Sequence, residues 1–335
     1  MKEAPRYAVA DQAPPTLSDF LLRWETILVG LLFAVIIGNT IISPYFLDIY
    51  NLSDATFNFS EKAIIALGMT LLILVRDIDL SVAAIIALAS LAMGLAADQG
   101  AGTGLLILIG LGVGALCGAF NGLLVARIGL PSIVVTIGTM SLFRGIAQVV
   151  LGDQAITRYP ADFQELGQGY LIKWPPVPYS FALFLLLAVV FTIVLHKTVF
   201  GRKLFAMGNN PIAAQFSGIP VNRIRFWLFV LTGLLAGVAA VLLTARIGST
   251  RPNIALGWEL EVITAVILGG VSIVGGAGTI PGVVLAVFIL GLATFGLSLV
   301  NVPGIVISVV LGLLLIVSIA MPNVVRRLLK RKPVV

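Results

Sequence analysis

The chain has 335 residues, of which 59% are hydrophobic and 11% charged, and its mean hydropathy is +1.10. A water-solvated domain carries about 25% charged residues, so this composition excludes a soluble globular protein and predicts an all-α polytopic membrane protein. The net charge of +6 does not signal nucleic acid, because the basic residues cluster at the ends of apolar runs rather than along an aromatic-interleaved stripe.

Residues 1–25 mix both charge signs with three prolines, unlike a cleaved signal peptide. They are expected to form a disordered cytoplasmic tail with an interfacial approach at Phe20 to Trp24. Apolar runs then fall at about 26–43, 61–75, 80–97, 104–126, 131–151, 179–196, 226–245, 259–274, 280–299 and 304–321. Each approaches the roughly 20 residues that cross a bilayer core, and ten crossings within a domain spanning 26–325 place both termini on one side. With the N-terminus inside, about 15 of the 21 basic residues are cytoplasmic, including Arg326, Arg327, Lys330, Arg331 and Lys332 of a basic tail at 326–335. The outer segments are acidic, with Asp48, Asp54, Asp98, Asp153, Asp162 and Glu165. Eight or twelve spans would place the central loop or that tail outside, against the positive-inside bias.

Two runs are short. The second offers about 13 apolar residues before Arg76, Asp77, Ile78 and Asp79, and the eighth ends near GGAG at 275–278. Interrupted segments are tolerated at membrane depth where protein or a water-filled cavity satisfies the backbone, so both breaks are expected to border a path. Asp79 is a candidate cap for the helix opening at Leu80 and Ser81. Glycine-rich stretches at 110–122 and 267–276 predict close helix packing. A weak inverted repeat, spans two to five against seven to ten, is a further expectation. On the outside, the loop 152–178 carries Arg158, Tyr159, Phe163 and Trp174 and is expected to fold over the bundle as part of a docking surface.

The central loop, 197–225, holds Lys197, Arg202, Lys203, Arg223 and Arg225 with no acid, so it is expected in the cytoplasm. Within it Asn210 suits an N-cap, Pro211 the first helical position and Gly218 the C′ position, ahead of Pro220. The helix between them is barely two turns, too short to persist alone in water, so it must rest on something. Ile212 and Phe216 fall one turn apart and give it a small apolar face.

No catalytic constellation appears: GGAG lacks the lysine and hydroxyl of a phosphate loop, and one histidine with one cysteine gives no metal set. His196 sits at a span end, where an interfacial role is expected, and Cys117 lies within an apolar run. Arg144 is the notable charge, about 14 residues into the fifth run. Ser132, Thr136 and Thr139 form a hydroxyl stripe on the same helix, and Asn121 adds an amide to the fourth. Together with Asp79, Ser81 and Glu259 these are the polar groups expected along a path. Because the acids lie at the ends of the runs, an ion-gradient carrier lacks a sensor here, and energy is expected from another subunit.

IDLS at 78–81, the NG at Asn121, PSIVVTIGTMSLFRG at 131–145, FGRKLFAMGNNPIAAQFSGIPVNR at 200–223 and GWELEVITAVILGGVSIVGGAG at 257–278 resemble the permease subunit of bacterial sugar ABC importers. That is the ribose, xylose, rhamnose and autoinducer-2 group, and the stretches SPYFLD, LGDQA and GLSLVNVPGIV are most similar to its rhamnose-type members. The resemblance implies a type II-like importer bundle in the inner membrane that is not itself an enzyme and binds no cofactor. ATP and magnesium would be held by two cytoplasmic ATPase subunits, a second permease chain would complete the pore, and a periplasmic binding protein would deliver the sugar. The ATPase-coupling surface would comprise Gly201, Arg202, Asn209, Asn210, Pro211, Ala213, Ala214, Phe216, Ser217 and Gly218. This chain departs from the family where a Gly-Gly pair usually precedes IDLS: Arg76 and Asp77 stand there, which suggests a new charged contact. The alternatives are a branched-chain amino acid permease of the same organisation, an ion-gradient-driven carrier, and a membrane scaffold or receptor component.

Overall fold

The computed structural model describes residues 23–314 and 316. Most of the expected N-terminal tail and all of the basic tail at 326–335 lie outside them. In chain order the helices are α1 (Trp24–Ile42), α2 (Ile49–Leu74), α3 (Val82–Asp98), α4 (Thr103–Gly122, continued by a π-helical turn Leu123–Arg127), α5 (Ser132–Leu151) and α6 (Ala161–Gln168). A small hairpin of β1 (Tyr170–Lys173) and β2 (Pro176–Pro178) leads to α7 (Tyr179–Lys197), α8 (Val199–Asn209), α9 (Pro211–Phe216) and α10 (Val221–Ile247). The described chain closes with α11 (Trp258–Leu268), α12 (Ile280–Leu299) and α13 (Gly304–Leu314).

Each of the ten apolar runs contains a helix within its described residues, and among those residues seven helices are long and apolar enough to cross a membrane: α1, α2, α4 with its π turn, α5, α7, α10 and α12. Three runs give shorter helices. Of these, α3 has 17 residues and α11 has 11. The short eighth run is therefore a short helix, whereas the second is not. Helix α2 has 26 residues and starts at Ile49, twelve residues before the apolar run begins, because Asp48 accepts hydrogen bonds from the amides of Tyr50 and Asn51 and so caps it. Exposed Asp54 and Asn58 hide those first turns from an apolar count. The helix lies at the centre of the molecule, with 89% of its most apolar window buried, while α1 at the periphery is 11% buried over its window. Trp24, expected in the tail, belongs to α1 and donates from Nε1 to the carbonyl of Leu268.

Helix α4 packs along α10 in the most extensive helix pairing among the described residues. A Cβ at Gly114 would lie 2.4 Å from the carbonyl oxygen of Gly233, and one at Gly118 would lie 2.3 Å from that of Phe229. Gly110, Gly114, Gly118 and Gly122 thus form one strip on which the α10 backbone rests, the arrangement that dispersion favours where lipid supplies no hydrophobic drive.

The segment 152–178 folds over one end of the bundle. Gly167 of α6 sits against the backbone of Arg246, Tyr159 stacks on Phe163, and the Ile156 and Thr250 backbones exchange two hydrogen bonds. We call this the distal end. The opposite, basic end carries α8, α9 and the two breaks.

A candidate coupling surface and translocation path

Helix α9 is closed by its own sequence at both ends. The Asn210 side chain accepts from the amides of Ile212 and Ala213, at 3.1 and 3.0 Å, with Pro211 following as the first helical residue. Gly218 takes φ +83° and donates to Gln215 O, while Ile219 donates to Ala214 O. Those two bonds are a Schellman closure, and the left-handed backbone there suits glycine. Ala214 is 5% exposed and seats the helix on the protein, whereas Ile212 is 68% and Phe216 89% exposed. Of the residues expected on a coupling surface, Arg202, Asn209, Asn210, Ala213, Phe216, Ser217 and Gly218 are exposed, and Pro211 is half-buried. Gly201 and Ala214 are buried. A Cβ at Gly201 would sit 1.8 Å from Leu195 O, so that glycine permits the α7–α8 corner.

Above α9 lies the first break, Val75–Ser81. Arg76 donates from Nε to Gly208 O and from a terminal nitrogen to Asn209 O, both at 2.7 Å, which covers the last carbonyls of α8. Asp77 receives two bonds of 2.6 Å from Arg225, in the second turn of α10. The side chain of Asp77 is 3% exposed, so removing its partner would leave a buried charge at a cost of about 3 kcal/mol or more. The second break packs here too, since Gly276 donates to Leu74 O and approaches Asn209 too closely for a side chain. Asp79 does not occupy the cap position. Ser81 does, and Asp79 Oδ1 accepts from both its amide and its hydroxyl, at 2.8 and 2.6 Å. Asn121 donates to that same hydroxyl at 2.8 Å.

The expected path residues separate into two sets. Asp79, Ser81, Asn121, Ser132, Thr136 and Thr139 are all buried. Ser132 and Thr136 approach the Ile78 backbone at 3.4 Å, so the hydroxyl stripe of α5 faces the first break and supports its free amide and carbonyl instead of lining an opening. Arg144 and Glu259 behave differently. Both border a cavity of about 330 Å³ with Ser141 and Gln148, and Arg144 is anchored by donating to Pro252 O, Ile254 O and Ala83 O. Gln148 also lines a larger cavity of about 700 Å³ at the distal end, with Asp153, Gln154, Arg251 and Asn253.

A family model described as "Branched-chain amino acid transport system / permease component" matches residues 51–319. The chain belongs to this permease family. It is 37% identical over 302 residues, 88% of this chain and 91% of the relative, to "Autoinducer 2 import system permease protein LsrD" of Escherichia coli strain K12. The same figures hold for the proteins of that name from Shigella flexneri and Escherichia coli O157:H7. No solved structure matches this chain.

In this permease the open face of α5 carries Gly138, Ser141, Gly145 and Gln148, with nothing within 4 Å of a Cβ built at either glycine. Their spacing of three, four and three residues marks one helix face, a signal present in the sequence beside the hydroxyl stripe. The permease also buries one carboxylate away from helix ends, which corrects the sequence-based expectation. Glu61 is fully buried in α2 and accepts from Arg246 at 2.8 Å, while neighbouring Lys62 pairs with Glu261 and lies over the Trp258 ring at 4.9 Å. The placement of acids therefore no longer argues against gradient coupling. His196 joins α7 to α12 by accepting from the Ile280 amide at 3.3 Å.

Proposed function

We propose that this permease is the membrane subunit of an ATP-driven importer in the bacterial inner membrane, with α9 as the helix that seats in a cytoplasmic ATPase. The observation that carries the reading is a six-residue helix capped at both ends that presents exposed Ile212 and Phe216 on the basic end of the bundle. Such a knob has an apolar face to bury and a neighbourhood of Lys197, Arg202, Lys203 and Arg223 that holds it on the cytoplasmic side. Both termini then lie in the cytoplasm. A second permease chain, identical or paralogous, completes the pore along the open face of α5, and a periplasmic binding protein delivers cargo to the distal end.

The cargo is a monosaccharide-class solute, rhamnose or a related sugar. The two cavities present amides, hydroxyl and mixed charges, which exchange hydrogen bonds with a polyhydroxylated molecule without holding it tightly, and relatives are named for import of autoinducer 2. Affinity resides in the binding protein, because a solute held strongly in the path would not leave it.

The test is uptake by the reconstituted importer. Labelled rhamnose accumulates only with ATP, excess unlabelled rhamnose competes, and leucine does not. Competition by leucine alone moves the cargo to the amino acids, and uphill uptake by the permease without nucleotide, abolished by an ionophore, overturns the ATP-driven reading.

A further inference from the structure

We infer that the five-residue turn Arg76–Leu80 is the transmission joint of the permease, a positioning element that carries movement of α9 to the path helix α5. The inference rests on the proposed docking of α9. Two adjacent side chains of the turn hold opposite ends of the loop that bears α9. Arg76 holds the C-terminal carbonyls of α8, immediately before Asn210, and Asp77 holds Arg225, one turn after the loop enters α10. Both are charge-assisted contacts, two bonds each, so the loop cannot shift as a body without taking the turn with it. The next residue, Ile78, presents its backbone amide and carbonyl to Ser132 and Thr136 on α5, the helix whose other face is open along Gly138 and Gly145. The polar grips on the loop side tie the turn to the loop, and the two contacts at Ile78 pass its displacement on to α5.

Arg76 also stands in the left-handed region, at φ +72°, where a β-carbon is strained. Its side chain lies against Gly275 of the second break, within 2.5 Å of where a Cβ there would be. The strained backbone directs the guanidinium back onto α8, so the conformation and the grip belong together.

The experiment uses the full importer in nanodiscs, with Ile137→Cys on the exposed side of α5 as reporter in a Cys117→Ser background. Its reaction rate with a water-soluble maleimide is measured with and without a non-hydrolysable ATP analogue, alongside uptake and co-purification of the ATPase. The parent shows a several-fold nucleotide-dependent change in labelling. In Arg76→Gly and Asp77→Asn the ATPase co-purifies at the parent's yield, the labelling change shrinks below twofold, and uptake falls at least tenfold. Retention of the labelling change, or uptake within twofold of the parent, overturns the joint. So does loss of the ATPase from these variants alone, which would make the two residues shapers of the docking surface. A parent chain that holds no ATPase at all sinks the docking reading instead. Arg225→Lys, which keeps the charge but loses the two-pronged bond, decides by the same outcomes if either variant fails to fold.

Discussion

Arg76 pairs a backbone cost with a side-chain gain, and the two separate by mutation. A non-glycine residue at φ +72° costs about 1–2 kcal/mol, relieved by glycine but not by alanine. Arg76→Gly and Arg76→Ala both lose the bonds to Gly208 and Asn209, so denaturant titration should find the glycine variant more stable than the alanine variant by about 1 kcal/mol. Tyr159 gives a second measurable residue. Burial pushes its hydroxyl up to about 12, against a smaller opposing effect of its 2.6 Å bond with Thr250. The folded state then holds a proton that the unfolded chain releases near its ordinary value, so the stability tied to this hydroxyl is present below about pH 10 and is lost as pH rises toward 12. Comparing phenolate absorbance with Tyr159→Phe, the difference should be absent at about pH 10.5 in folded protein and present after denaturation. Neither residue's role is legible in the sequence. The partners of Arg76 and Tyr159 lie 132 and 91 positions away, and no local pattern encodes a contact of that range.

At the scale of elements, local chemistry reads out well and burial reads out poorly. Asn210, Pro211 and Gly218 foretell α9 because caps act within one turn, and the structure makes those local bonds. The same window cannot say that Ala214 points inward and Phe216 outward, since that depends on where α10 lies. Phe216→Asp should therefore leave the permease folded and reduce ATPase co-purification at least tenfold, whereas Ala214→Arg should lower the yield of folded chain. The hydroxyl stripe of α5 shows the same limit. Both faces of that helix are polar or small, one toward a broken backbone and one toward open space, so periodicity identifies a face without its neighbour. The glycines divide likewise. Gly233→Leu meets the Gly114 backbone at once and should abolish monodisperse protein on size exclusion, while Gly138→Ala, with nothing within 4 Å, should raise the stability of the single chain by up to about 1 kcal/mol.

For the whole molecule, both interruptions of the apolar pattern arrive at one place. The turn after α2 and the loop between α11 and α12 meet through the Gly276–Leu74 bond, directly above the loop that carries α9. Composition foretells two breaks but not their meeting, because contact between residues 74 and 276 is a property of the bundle. Unpaired backbone at membrane depth must be satisfied by protein, and here each break helps satisfy the other while Asn209 packs between them and the surface. The distal end is built oppositely, with Ser90, Thr244, Thr250 and Tyr159 joined through a chain of buried hydroxyls that ties the 152–178 segment to α3 and α10. On the proposed docking of α9, the basic end is the one that is driven. That proposal implies an orientation that can be measured. In intact cells carrying single cysteines in a Cys117→Ser background, an impermeant maleimide should label Trp174→Cys on the hairpin and leave Phe216→Cys untouched until the membrane is opened. Labelling of position 216 from the outer side would place α9 beyond the reach of any ATP-hydrolysing partner.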